Sequence, residues 1–145
     1  MAIRKTDPRG VRVQHDVRGE VQEFLDGLAR ALIAGDGDAV ATRYEVPALF
    51  ISDDGVHAIK SPEEIVTYVV ATKARYRALG VVETRAGLID LERIGMRMLV
   101  ATVRWPHLDA NHHEVAAELS DYTLRRDDKG RLRIRSVLMR GLSTP

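Results

Sequence analysis

Apolar and polar positions recur along the chain with two different periods, and the change of period divides it. From Val17 to Ile33 the apolar residues Val17, Val21, Phe24, Leu25, Leu28, Leu32 and Ile33 return every three or four positions. That spacing predicts an amphipathic helix with one buried stripe, with Asp16 as N-cap and Gly35 as its stop. Asp36-Gly37-Asp38 offers a cap for a short second helix through about Tyr44, which Pro47 keeps from continuing. Leu49 to Ser52 and Val56 to Ile59 flank Asp53-Asp54-Gly55, the chemistry of a tight hairpin turn. Ser61-Pro62-Glu63-Glu64 then supplies a hydroxyl N-cap, a proline at the first helical position and a glutamate that can complete a capping box. The helix it starts carries Ile65, Val69, Tyr76 and Leu79 and ends at Gly80.

From Val81 onward the period is two. Val81 to about Arg93 reads as one long strand with a bend at Gly87. The last third, from about Met96 to Gly141, reads as three long antiparallel strands, with connections around Pro106 to Asn111 and at Asp127-Asp128-Lys129-Gly130. On Met96 to Trp105 both faces are largely apolar, one with Leu99, Ala101, Val103 and Trp105, the other with Met98, Val100, Thr102 and Arg104. A sheet with one wet side alternates more cleanly. The second face is therefore expected to be covered, most economically by a second copy of the chain in a homodimer.

Composition narrows the function classes. The chain has 145 residues with a net charge of +1 from 22 basic and 21 acidic side chains. That near balance gives no global field for nucleic acid. Without cysteine there are no disulfides, thiol catalysis or thiolate metal sites, and no apolar run approaches a membrane span. The chain is expected to be cytoplasmic, with residues 1–15 a mobile lead-in and 16–145 one domain. No glycine-rich phosphate loop, GxSxG, HExxH or Walker pattern is present, and no cofactor is implied.

The order helix, short helix, hairpin, long helix and long curved strands resembles the nuclear transport factor 2-like superfamily, which includes ketosteroid isomerase, scytalone dehydratase and the polyketide cyclases. The matching segments are Ala34-Gly35-Asp36, Pro47 to Gly55, Ser61-Pro62, Tyr122-Thr123-Leu124-Arg125-Arg126 and Asp128-Lys129-Gly130-Arg131-Leu132. Together they span roughly Val17 to Gly141. The resemblance implies an α+β cone, a strongly curved antiparallel sheet wrapped around a long helix, with a cavity inside and dimerisation through the outer sheet face. It does not imply isomerase chemistry. The oxyanion-hole tyrosine of the isomerases falls at about Leu28, the protonated acid near Leu119 with Glu118 and Asp121 as the nearest acids, and the base at Ser52 or Asp53.

Candidate residues follow from the strand His113 to Arg126. If Ala116, Glu118, Ser120, Tyr122 and Leu124 face the cone, Glu118 and Tyr122 are buried polar groups that need partners or a ligand. Arg104 could instead pair with Glu118 across the strands and make it structural. Asp53, Glu118 and Tyr122 are the catalytic candidates, and Tyr44, Tyr68, Trp105 and Arg104 the ligand-binding ones. His107, Asp109, His112 and His113 gather in a connection that reads as a wet loop, with no metal site expected. His15 and His57 read as surface residues, and Arg131, Arg133 and Arg135 as a solvated strand start. Two functions remain: binding of a small, mostly apolar molecule, or acid/base catalysis on one. A raised Glu118 pKa would favour catalysis, whereas a Glu118 salt-bridged on the outer face would remove it from the site.

Overall fold

The computed structural model describes residues 11–143, with side chains from 16 to 141. Three helices, α1 (Val11–Ala34), α2 (Gly37–Ala41) and α3 (Pro62–Leu79), pack against one strongly curved sheet of seven strands. The strands are β1 (Tyr44–Ser52), β2 (Gly55–Ile59), β3 (Glu83–Thr84), β4 (Gly87–Arg93), β5 (Met98–Leu108), β6 (Glu114–Arg126) and β7 (Leu132–Ser143). Their order across the sheet is β2-β1-β7-β6-β5-β3, with β4 also paired to β5. All pairs are antiparallel except β1 with β7, which run parallel. The expected mobile lead-in, residues 1–15, lies mostly outside the described residues. Its end differs from expectation, since α1 begins at Val11 and Asp16 sits inside the helix.

The apolar stripe of α1 is the centre of the core. Val21, Leu25, Leu28 and Leu32 are buried beside Ile65 and Val69 of α3 and Ala101, Val103, Leu124 and Ile134 of the sheet. Each fully buried leucine or valine contributes about 1.5–3 kcal/mol. On α3 the stripe is Ile65, Val69, Thr72 and Tyr76, while Leu79, expected inside, stays 43% exposed because the helix ends there and turns away. Gly80 makes that turn in the left-handed region, at φ 73°. At the other end the Ser61 side chain caps nothing. Glu64 does not close the box on the Ser61 N–H either; its Oε2 accepts the Lys60 N–H, one residue before the cap, at 2.9 Å, and the Ser61 hydroxyl at 3.4 Å.

Several boundaries shift from the sequence expectation. The second helix ends at Ala41, and Tyr44 already belongs to β1, where it is in register with Ile134 of β7. The expected Val81–Arg93 strand is two strands, broken at Arg85–Ala86. The break lies opposite Pro106, which has no N–H to offer a neighbour on that side. β5 itself runs straight through Pro106 to Leu108, where a strand end was expected, and the connection to β6 is shorter. The arginines at the start of β7 are not simply solvated. Arg133 Nη1 donates to the Thr42 carbonyl at 2.7 Å, and Arg135 reaches the Pro47 carbonyl and Glu45. These bonds tie β7 to the opening residues of β1.

The outer sheet face carries a shallow cleft of about 470 Å³ between Ile51, Val100, Thr102, Asp121, Leu138 and Arg140. Its floor is partly polar. Asp121 accepts from the Thr102 hydroxyl at 2.7 Å and is paired with Arg140 at 2.7 Å.

Candidate functional site

The inner sheet face is set by strand alternation. Trp105 and His107 of β5 share a face, and across the ladder Trp105 opposes Glu118 while Ala101 opposes Tyr122. Ala116, Glu118, Ser120, Tyr122 and Leu124 therefore point into the cone, the first of the two arrangements considered from the sequence. A cavity of about 30 Å³ lies there, lined by Leu32, Tyr44, Tyr68, Tyr76, Trp105, Glu118, Ser120, Tyr122, Val137 and Met139. At that size it admits about one water-sized group.

Glu118 is held from two sides. His107 Nε2 lies 2.6 Å from Glu118 Oε2, and Arg75, which reaches in from α3, donates to the same oxygen at 3.2 Å. Both contacts fall on Oε2, so Oε1 is left for another partner. The second imidazole nitrogen, Nδ1, lies 2.9 Å from the Thr84 hydroxyl, which is also 3.0 Å from the Pro106 carbonyl. Whichever of the two the hydroxyl hydrogen serves, a carboxylate oxygen 2.6 Å from Nε2 needs a hydrogen between them, so a proton lies between His107 and Glu118. Burial works to raise the Glu118 pKa, but the His107 hydrogen bond and the charges of Arg75 and His107 outweigh it and hold it below the ordinary glutamate range.

Phenols surround this carboxylate. Burial pushes the Tyr122 hydroxyl well above the usual tyrosine range, with Tyr44, Tyr68, Glu118 and Tyr76 adding to the effect. Burial, reinforced by the Glu118 charge, does the same to Tyr68 and Tyr76. These groups remain neutral donors across the ordinary pH range. Tyr76 stacks obliquely on the His107 ring at 4.9 Å between centroids, and Trp105 packs on Tyr122 at 6.1 Å. The indole Nε1 of Trp105, a residue 4% exposed, has no hydrogen-bond partner among the described residues. A buried donor left unpaired costs about 1–3 kcal/mol, which makes it a place for an acceptor atom.

The candidates separate cleanly by position. Glu118, Tyr122, Tyr44, Tyr68 and Trp105 meet at the cavity. Asp53 does not; it is exposed in the β1–β2 turn. Arg104 does not either, because even-numbered positions of β5 face outward, and it forms a bidentate pair with Glu114 at 2.6 and 3.1 Å instead of reaching Glu118. Glu118 is salt-bridged, but on the inner face.

His107, expected in a wet loop, is 1% exposed on β5. His112 and His113 stay in the loop, so the four-residue ligand set is divided, and among the described residues no group of three or more such side chains could hold a metal. His57 is on the surface as expected, and the His15 side chain lies outside the described residues. Arg75 and Thr84 were missed, and His107 was singled out but placed in the loop. The available signal for His107 was the alternation Val103, Trp105, His107, had the strand been carried past Pro106.

Comparison with known proteins agrees with this architecture. Residues 19–141 match the family model described as NTF2-like protein (DUF6841). No curated protein matches the sequence. Among solved structures, an NTF2-like protein of unknown function from Shewanella oneidensis MR-1 is 16% identical, covering 86% of this chain and 99% of its own at a TM-score of 0.64. An NTF2-like protein with a cystatin-like fold from Novosphingobium aromaticivorans is 16% identical, with 90% and 84% covered and a TM-score of 0.66. A ketosteroid isomerase-like protein from Erwinia carotovora atroseptica is 10% identical, with 84% and 93% covered and a TM-score of 0.63. At these identities the likeness is one of fold. With its helices, its curved sheet and more than four-fifths of its length matched, the chain belongs to the NTF2-like family DUF6841.

Proposed function

We propose that the cone binds a small molecule with a mostly apolar body and one polar end, and that the polar end enters the cavity between Glu118 and Trp105. The observation that carries this reading is the pairing of opposites inside one cavity. Both contacts of Glu118 use Oε2, which leaves Oε1 of this 25% exposed side chain open to a ligand, and Trp105 Nε1 is a buried donor without a partner among the described residues. A hydroxyl or carbonyl group satisfies one or both, while the rings of Tyr44, Tyr68 and Tyr122 supply the apolar wall. The experiment is a titration of the labelled protein with small alcohols and ketones, following the Trp105 indole N–H resonance. Saturable shifts are expected, and in Trp105→Phe, which has no indole to follow, the backbone amide shifts of Glu118 and Tyr122 should report binding about tenfold weaker. An indole resonance that no compound moves overturns the reading.

A second reading, proton transfer on the bound molecule, is favoured by the single proton between His107 and Glu118. In it Glu118 Oε1 takes a proton from the ligand, the ligand keeps the electron pair, and Trp105 and the neutral tyrosines stabilise the resulting negative charge. The lowered Glu118 pKa makes it a carboxylate at neutral pH and a weak base. Binding therefore leads and catalysis follows.

A further inference from the structure

A groove of about 240 Å³ opens on the surface where α1 and α3 end, lined by Ile33, Lys73, Tyr76, Arg77, Val81 and Val82, with Gly80 at the turn. Tyr76 also lines the inner cavity. One side chain, 5% exposed, is thus the wall between an outer groove and the polar chamber at Glu118. The groove's chemistry differs from the chamber's. Lys73 and Arg77 stand one helical turn apart on α3, flanking Tyr76 on the same side of the helix. Lys73 Nζ donates to the Ala34 carbonyl at the end of α1, and Arg77 has no ion-pair partner among the described residues. Ile33, Val81 and Val82 give the groove an apolar floor, and Val82 is 55% exposed.

We propose that groove and chamber are the two halves of one binding site parted by the Tyr76 ring, and that the site takes a small organic carboxylate with a hydroxyl or carbonyl at its far end. The carboxylate is held by Lys73 and Arg77, the apolar body lies over Ile33, Val81 and Val82, and the far end passes Tyr76 to reach Glu118 and Trp105. This deepens the reading of the chamber as a ligand site and rests on it. Polarity runs in the sense such a ligand needs. Cations stand at the outer end, where an anion can stay partly hydrated, and a carboxylate stands at the inner end, which would repel a second negative charge. The inner chamber alone is too small for more than a single group, whereas ligand pockets commonly run to about 300–1,000 Å³. Adding the groove approaches the lower limit of that range, so the ligand is small.

The probes are 6-hydroxyhexanoate, its neutral counterpart 6-hydroxyhexanamide, and acetate, each titrated into the labelled full chain. The expected result is that 6-hydroxyhexanoate moves both the Val81–Val82 amides and the Trp105 indole, while acetate moves only the groove amides. In the surface variant Lys73→Met/Arg77→Met, affinity for 6-hydroxyhexanoate falls about tenfold and that for 6-hydroxyhexanamide is unchanged. If the amide binds as well as the carboxylate and moves the Trp105 indole, the chamber reading stands and the carboxylate assignment is overturned. If 6-hydroxyhexanoate moves the groove alone, the connection through Tyr76 is overturned. If it moves neither, the assignment fails outright.

Discussion

His107 and Glu118 show how much a single buried contact can decide. His107 is fully enclosed, spends both ring nitrogens on named partners and packs on Tyr76. Replacing it by alanine removes two hydrogen bonds and leaves a hole, so His107→Ala is expected to lower unfolding free energy by about 2–4 kcal/mol. Glu118→Gln keeps the shape and costs about 1–2 kcal/mol at pH 7. The pH dependence follows from the lowered Glu118 pKa. A depressed carboxylate contributes stability that is present above its unfolded value, about 4.3, and is lost as pH falls through the folded value. The gap between wild type and Glu118→Gln in urea unfolding should therefore narrow from pH 7 to pH 3; a constant gap would show that the charge contributes nothing. Glu118 and Tyr122 were legible in the sequence because alternation along one strand places them together. His107 and Arg75 were not, since the first sits beyond a proline that reads as a strand end and the second is brought in by packing of α3, which no local period encodes.

At the scale of elements, the sharpest local devices are the turns and caps. The β6–β7 turn is organised by Asp127, whose carboxylate accepts the Lys129 and Arg131 backbone N–H groups at 2.9 Å and pairs with Arg131 and Arg133. The Arg131 backbone bond is the largest of the effects that lower its pKa to about 2. Gly130 closes the turn in the left-handed region at φ 79°. Asp127→Ala should unfold at lower urea than the parent at pH 7. The difference should fade as pH drops from about 3.9, the unfolded value, through the folded value of about 2; a difference that does not shrink over that range would show that packing, not charge, was lost. This turn, the start of α3 and the end of α3 were readable because each is specified within a few residues. The split of Val81–Arg93 into two strands was not, because its cause, Pro106, lies on a neighbouring strand and acts only once the strands are paired.

For the whole molecule, the curved sheet has two faces with different tasks. The outer one combines Val100 and Ile51 with Met98 and Leu138, both about two-fifths exposed, around the Asp121–Arg140 pair. A homodimer through this face remains our proposal, supported by that mixture of exposed apolar groups and fixed charges. Light scattering after gel filtration should give the mass of two chains, and Met98→Lys/Leu138→Lys the mass of one; a monomeric parent would overturn it. No helix among the described residues is long and apolar enough to cross a membrane. The α+β cone was legible from the change of period and the order of elements, whereas the near-closure of its cavity was not, because it depends on how four tyrosines pack together. The parallel seam between β1 and β7 carries a consequence for assembly. β7, the last of the described strands, lies between β1 and β6, so until it docks the β1–β2 hairpin has no neighbour to join. A nascent chain stopped before Leu132 holds two unconnected sheet fragments with bare edges, and the cooperative step of folding must wait for β7.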